Sequence, residues 1–392
     1  MNFLKEAQKI KKELINIRRH LHRHPELSGR EVQTAAFIAG LLKKWGLEVK
    51  TGIGGNGVIG LLAPAGGRGA GKCVAIRADM DALPIQEKNK KSYSSLVKGV
   101  MHACGHDGNM TCALGAARLL AAHKEELGRP VKFIFQPAEE ISNGAEEMIK
   151  AGALRQPAVE KIIGMHVYTL LPAGKVGIKY GQMMANVDQF NLTIIGEGGH
   201  GAAPHKGVDA IAVAAEVITG LQQVVSRQID PADPVVLTIG KINGGTQYNI
   251  LADRVVLDGT VRTLNDKTHK EMPLRIEQIA RGITAAFGAR YSLEYNVLGP
   301  ALINNDTVVE TVKKAAMEIV GAARVMTIPR ASMGGEDFAS YLQHIPGAFV
   351  YLGVGNKAKG IIAPWHHPDF DLDEEALPIG AAVLAESVWA WQ

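Results

Sequence analysis

Met101-His102-Ala103-Cys104-Gly105-His106-Asp107 places a thiol, an imidazole and a carboxylate within a few residues of one another, and a helix-like apolar run follows Gly108-Asn109. Thiolate, imidazole and carboxylate are the side chains that bind zinc-like ions. Gly105, between Cys104 and His106, opens backbone angles closed to other residues, so two side chains of one tight turn can converge on a point. A Cys and a His two apart are more often structural than functional. The reading therefore depends on what the rest of the chain supplies.

Upstream, Lys72–Ala78 is a short apolar run, followed by Asp79-Met80-Asp81. Carboxylates just past a strand's end are where open α/β sheets place ligands, although a capped turn explains them equally well. Downstream, Lys132–Gln136 reads as a buried strand that ends in Pro137-Ala138-Glu139-Glu140. At least one of these glutamates should sit at the sheet's carboxyl edge. Lys161–Met165 is another apolar strand and delivers His166, and Trp365-His366-His367-Pro368 stands before the last helical segment. Cys104, His106, Glu139 or Glu140, His166 and His366 thus all fall next to strand ends or helix starts, where α/β loops can share one edge. Five such groups are too many for one tetrahedral structural ion. They suit a pair of metal ions about 3.5–4 Å apart, which acidifies water and polarises a carbonyl. One glutamate would then be free to act as general base, and the reaction class is hydrolysis of an amide or ester.

The remaining chain frames this edge. Residues 4–22 read as one amphipathic helix that Pro25 stops. Its His20, His22 and His24 lie beside Arg18 and Arg19, whose charge opposes cation binding, so they are read as structural. A helix over 31–45 follows, then strands at 47–51 and 57–63 joined by a glycine-rich turn, and a loop over Pro64–Gly71. Residues 86–100 form a Lys-rich surface loop, and a helix spans 109–125. From 189 to 194 polar Gln189, Asn191 and Thr193 alternate with apolar Phe190, Leu192 and Ile194, the period of an antiparallel strand with one wet face. A helix over 208–226, strands over 235–242 and 254–263, a helix over 267–286 and a strand over 290–297 complete a ferredoxin-like order. A helix over 306–321, a strand over 348–353 and a helix over 373–391 restore α/β character. The expected architecture is an α/β catalytic domain with a central mixed sheet (1–186 and 298–392) carrying an inserted ferredoxin-like α+β domain (187–297).

Length and composition agree with this. A chain of 392 residues is long for one core. With 46% hydrophobic and 21% charged residues it reads as an ordinary soluble globular protein, and the net charge of +4 shows no basic block for nucleic acid. Three cysteines give no disulfide framework, with Cys73 and Cys112 in core-like runs, so a reducing, cytoplasmic compartment is expected. The charged amphipathic start is unlike a signal peptide, and no apolar stretch of about 18 residues suggests a membrane span.

The segments RRHLHRHPELSGRE, RADMDALPIQE, MHACGHDGNM, FQPAEE, GMHV, GGHGAAPH, GGEDF and HHPDFDLDE run in order from residue 18 to 374. In them the chain resembles the M20 metallopeptidase family, and within it the amidohydrolase subfamily of aminoacylases, hippurate hydrolases and auxin-conjugate hydrolases. The resemblance implies a zinc-peptidase-like catalytic domain and two divalent ions, of Zn²⁺, Mn²⁺, Co²⁺ or Ni²⁺. It implies Cys104, His106, Glu140, His166 and His366 as metal ligands and Glu139 as general base. His366 is favoured over His367 because the family's ligand stands two places before the proline. It further implies that His200 donates to the developing oxyanion, reaching into a partner subunit's site, and that Asn249 and Arg262 hold the substrate carboxylate. The chain departs from the family at Asn249-Ile250-Leu251-Ala252, where a proline is common. The implied substrate is an acetyl, benzoyl or indole-acetyl amino acid, and the implied assembly a homodimer paired through the inserted domain. Carboxypeptidase, dipeptidase or N-acetyl-diaminopimelate deacetylase activity is the alternative. A purely binding homologue fits poorly, because binding needs no base beside the metals.

Overall fold

The computed structural model describes residues 1–64 and 72–392, so the expected loop at Pro64–Gly71 lies, beyond Pro64, outside the described residues. Cα packing divides the chain into two compact units. One is Met1–Met183 with Ile303–Arg330 and Asp337–Gln392, and the other is Met184–Leu302 with Ala331–Glu336.

The chain begins with α1 (Phe3–Lys9), α2 (Lys11–Arg23), α3 (Val32–Lys44), β1 (Glu48–Ile53), β2 (Gly57–Leu62) and β3 (Cys73–Asp79). It continues through α4 (His106–Ala122), β4 (Val131–Gln136), α5 (Gly144–Lys150), β5 (Val159–Pro172), β6 (Val176–Ile178) and β7 (Gly181–Met184). The second unit contributes β8 (Asn186–Ile195), β9 (Gly199–His200), α6 (Ala210–Arg227), β10 (Val235–Gly244), β11 (Ile250–Leu251), β12 (Arg254–Thr263), α7 (Asp266–Ala286) and β13 (Arg290–Gly299). The chain returns through β14 (Leu302–Asn304), α8 (Asp306–Val320), β15 (Val325–Thr327), α9 (Phe338–Leu342), β16 (Gly347–Gly355) and α10 (Leu377–Trp389).

The first unit is built on an eight-stranded mixed sheet in the order β1-β2-β4-β3-β5-β16-β6-β15. Its centre is parallel: β3 pairs that way with β4 and β5, and β5 with β16. β3, β4 and β16 are buried along their whole length, as strands covered on both faces must be. Even Lys132 in β4 is buried, and its ammonium donates to the carbonyls of Ala153 (2.9 Å), Arg155 (2.8 Å) and Pro157 (2.9 Å). α4 packs on β3, α2 and α10, so it is apolar on nearly every side. Parallel strands bring their carboxyl ends to one edge, and there β3, β4 and β5 deliver the residues singled out in the sequence.

Several details differ from expectation. The first helix breaks at Ile10 (φ −97°, ψ 8°) into α1 and α2. α4 starts at His106, not 109, because Gly105 turns the chain into the helix directly. His166 does not end its strand: β5 runs on to Pro172 because β16 continues to pair with it after β3 has stopped at Gly164. The short strands β6 and β15, three residues each, have no period to read.

In the second unit the sheet order is β10-β12-β8-β13, antiparallel throughout. Phe190, Leu192 and Ile194 of β8 are buried, together with Val255, Leu257 and Val261 of β12. They share a core with Val213, Val217 and Leu221 of α6 and Met272 and Ile276 of α7. Asp209 and Asn265 cap those helices by accepting from backbone N–H groups of their first turns. Two helices on a four-stranded antiparallel sheet in this order make the ferredoxin-like arrangement.

Candidate metal centre

The centre begins at Gly105, which holds φ +92° between Cys104 and His106. A side chain there would also run into Val167 Cγ2, beside His166. Glycine is thus required twice, and the two neighbouring side chains are aimed at one spot.

His106 Nδ1 donates to the Asp81 carbonyl at 2.8 Å. A carbonyl only accepts, so Nδ1 carries a proton and Nε2 is the nitrogen turned toward the centre, where burial is outweighed by Asp79, Cys104 and Asp81, which together raise the imidazole well above its usual range. Nε2 is buried with no hydrogen-bond partner among the described residues, 3.8 Å from Glu140 Oε1 and 4.0 Å from Glu139 Oε2. His166 repeats the device. Its Nδ1 donates to the Val167 carbonyl at 2.9 Å, and its Nε2 lies 3.6 Å from Cys104 Sγ. Burial lowers the His166 imidazole to about 4, so the ring is neutral at ordinary pH.

Glu139 and Glu140 stand on a turn after β4, where Ala138 adopts φ +57°. Three bonds hold the turn. Ala138 N–H donates to Glu31 Oε1 (2.9 Å), Glu140 N–H to Asp81 Oδ2 (3.0 Å) and Ser142 N–H to the Glu139 carbonyl (2.7 Å). Ser28 Oγ donates to the same Asp81 Oδ2 at 2.6 Å. Asn109 links two strands, donating to Asp79 Oδ1 (2.8 Å) and accepting from Val167 N–H (2.9 Å). The sequence alone assigns no role to Glu31, Ser28 or Asn109. The signal was their place in polar stretches of the quoted motifs, but their partners are far away in the chain.

His366 has φ +63°, and its N–H donates to the Ala103 carbonyl at 2.9 Å. Its Nε2 lies 3.4 Å from Glu140 Oε2. Both histidines are exposed, and His367 accepts from Asp369 N–H at 3.1 Å through Nδ1.

Among the described residues, three donor sets drawn wholly from the first unit and holding Cys104 or His106 have their atoms within 4.8 Å of one another: Cys104, His106 and His166; Cys104, Glu140 and His366; and His106, Glu139 and Glu140. Burial, and then the Glu140 charge, push the Cys104 thiol well above its usual range. Burial also raises Glu140, and Asp81 adds to this, against the pull of His106 and His366. Orphaned His106 Nε2 and Glu140 Oε1 facing each other, a converging thiol and a mixed S, N and O donor set all fit divalent cations of borderline softness.

The neighbouring polar residues do something else. Asp107 turns away and accepts from Arg18 Nε and His22 Nδ1, each at 2.8 Å. Arg18 also reaches Asp371 at 3.0 Å. The histidines of the first helical segment are therefore structural. His22 is held by Asp107, and His20 stacks on Phe37 at 4.1 Å. Asp79 is held by Arg77 and Asn109. Cys73 and Cys112 are buried and free, and burial pushes the Cys112 thiol up to about 12.

His200, Asn249 and Arg262 lie in the second unit. His200 is exposed on β9, opposite Ile250 of β11, and its Nδ1 accepts from Ala202 N–H at 3.0 Å. Asn249 precedes β11 and receives Gly201 N–H at 2.8 Å on its carbonyl, so these two residues share one small ribbon. Arg262, on β12, is partly buried. Its Nη1 donates to the Thr260 hydroxyl and to the carbonyls of Val261 (3.0 Å) and Asp188 (3.4 Å).

Residues 75–390 match the model of peptidase family M20/M25/M40. The N-acetyl-L-cysteine deacetylase of Bacillus subtilis is 40% identical over 379 residues, 96% of this chain and 88% of the relative. An IAA-amino acid hydrolase of Arabidopsis thaliana is 39% identical over 377 residues, 95% of this chain and 85% of the relative. Among solved structures, the YXEP protein of Bacillus subtilis, described as a dinuclear metal binding peptidase from the M20 family, superposes with a TM-score of 0.83 at 37% identity, covering 97% of this chain and 98% of that one. No helix among the described residues is long and apolar enough to cross a membrane.

Proposed function

We propose that this chain, which belongs to peptidase family M20/M25/M40 and is a metal-dependent amide hydrolase, cleaves the amide bond of N-acyl amino acids at a centre holding two divalent cations. The observation that carries this is the meeting of two donor triads on one sulfur. Cys104, His106 and His166 would hold one ion, and Cys104, Glu140 and His366 the other. The relatives' names, a deacetylase of N-acetyl-L-cysteine and a hydrolase of IAA-amino acids, support an acylated amino acid as substrate. Zn²⁺, Mn²⁺, Co²⁺ or Ni²⁺ would suit the donors.

Such ions supply Lewis acidity toward the amide carbonyl and lower the pKa of water. Glu139 belongs to neither triad, yet its carboxylate stands 4.0 Å from His106 Nε2. We assign it the proton work. It takes a proton from the attacking water as the new C–O bond forms, then returns it to the amine as the C–N bond breaks. His200, from the inserted unit of a partner subunit in a homodimer, donates to the oxyanion. In the same reading Asn249 and Arg262 meet the substrate carboxylate, Arg262 through the guanidinium N–H groups other than those on Nη1.

The test is turnover of a panel of N-acetyl, N-benzoyl and indole-acetyl amino acids beside simple dipeptides, with chelator and then with each metal restored. Chelator-sensitive release from acylated amino acids is expected. Release from dipeptides alone would move the activity to peptidase. Glu139→Gln should keep its metal while turnover falls about 10²–10⁴-fold, and retained turnover would remove Glu139 from the proton transfers.

A further inference from the structure

We propose that Trp365 is a positioning residue that couples the two metal sites. It would do so by hanging the loop that carries His366 on the strand that carries His166. The inference rests on the reading of those two histidines as ligands.

The geometry is unusually economical. The Val167 carbonyl accepts two hydrogen bonds, one from His166 Nδ1 and one from the Trp365 indole N–H, both at 2.9 Å. One backbone oxygen therefore fixes the ring of the first histidine and the residue immediately before the second. The indole also lies edge-on to the His166 ring, with centroids 4.7 Å apart, and against Tyr168 at 4.8 Å. Two residues earlier the same loop is tied to the same strand, where Thr169 Oγ1 donates to the Ala363 carbonyl at 2.9 Å.

His366 needs such anchoring. It holds a left-handed φ of +63°, which a residue with a Cβ adopts only when its surroundings over-determine it. Its N–H bond to Ala103 secures one side, toward Cys104. Trp365 secures the other, toward His166. A change in the tilt of the indole would move both imidazoles together. A partner that orients a ligating histidine is commonly worth about 10–100-fold in metal affinity.

The experiment compares wild type with Trp365→Phe, Thr169→Val and His366→Ala. Each purified chain is loaded with Co²⁺ and titrated with a chelator, following ions bound per chain and the Co²⁺ ligand-field spectrum. Trp365→Phe keeps a ring but loses the indole N–H. It should release its ions at roughly 10–100-fold lower chelator strength, with an altered spectrum at full loading. Thr169→Val should shift in the same direction by less, and it tests the tether should Trp365→Phe not fold. His366→Ala should bind one ion fewer. If His366→Ala keeps the wild-type stoichiometry, the ligand assignment fails. If His366→Ala loses an ion while Trp365→Phe and Thr169→Val titrate and absorb like wild type, the coupling through Trp365 is wrong. A lowered melting temperature with unchanged titration and spectrum would also overturn it, because Trp365 would then be ordinary packing.

Discussion

His106 and Asp107 are adjacent in the sequence, yet they serve two buried charge clusters of opposite kind. Asp107 looks toward a cation the protein supplies itself. Arg18 and His22 both donate to Asp107 Oδ2, and all three side chains are essentially inaccessible to water. Burial alone would raise that carboxyl, but Arg18 and His22 outweigh it and hold Asp107 well below the usual carboxylate range. His106 looks toward Cys104, Glu139 and Glu140, three acidic groups crowded on one imidazole. There burial pushes both the Cys104 thiol and Glu140 upward. Burial opposes the charge of Asp107 and of Glu140 alike, and the pKa directions are opposite. A buried cluster that neutralises itself is a brace, whereas one that leaves His106 Nε2 and Glu140 Oε1 with no hydrogen-bond partner among the described residues is built for a guest.

The brace should fail hardest. Arg18→Met leaves Asp107, Asp371 and His22 facing one another without the guanidinium, and breaking a buried pair from one side typically costs about 3–5 kcal/mol. Urea unfolding of the metal-free chain should show a loss of that size, and a loss below about 1 kcal/mol would mean the cluster is not a brace. The pH dependence gives the sign independently. The folded-state pKa of Asp107 is depressed, so its contribution is present above the unfolded carboxylate value near ~4 and lost as pH falls through the folded value. Stability of the metal-free chain should therefore drop on acidification below about pH 4, and Asp107→Asn should flatten that slope.

The guest site should answer with a change of sign. Glu140→Gln removes one anion from a crowded acceptor set, so without metal the variant should be as stable as wild type or more so. With metal it should be less stable, because a ligand's stabilisation grows as RT ln(1 + [L]/Kd), and a 10- to 100-fold weaker site forfeits about 1.4–2.7 kcal/mol. Paired melts with and without Zn²⁺ measure both arms. Equal destabilisation in both would make Glu140 a structural carboxylate like Asp107.

How much of this could be read from the chain follows from range. β3 and β4 declared themselves as continuous apolar runs, and β8 by its alternation of Phe190, Leu192 and Ile194 with polar neighbours. Those signals are local, so strand positions were legible to within a few residues. Cys104 and His106 announced themselves by residue type and by Gly105 between them. The role of Asp107 was not legible, because its partner Arg18 is 89 residues away. Nor was that of Glu31, which receives Ala138 N–H across 107 residues and holds the turn that presents Glu139. Side-chain chemistry nominates groups, but the direction in which each group faces is decided by partners that periodicity does not encode. Trp365 shows the same limit: the sequence places it beside His366, and only the fold brings its indole to the Val167 carbonyl.

The smallest effect belongs to a third kind of charge pair, and it guards against reading any pKa shift as stability. Lys150 Nζ lies 2.9 Å from a Glu147 oxygen and 3.7 Å from one of Glu146, and the hydrogen bond to Glu147 raises the lysine above its usual value. Taken by direction alone, this pair resembles the brace around Asp107, since the charged form is favoured in both. The Lys150 and Glu147 side chains, however, stand 64% and 44% exposed, so water and salt screen the attraction and the ordered long side chains lose entropy. Lys150→Ala should leave the urea midpoint where it is, at low salt and at high. A clear shift would mean that exposure does not separate decorative from bracing pairs in this protein, and the contrast between Asp107 and Glu140 would then need a cause other than what each faces inside the fold.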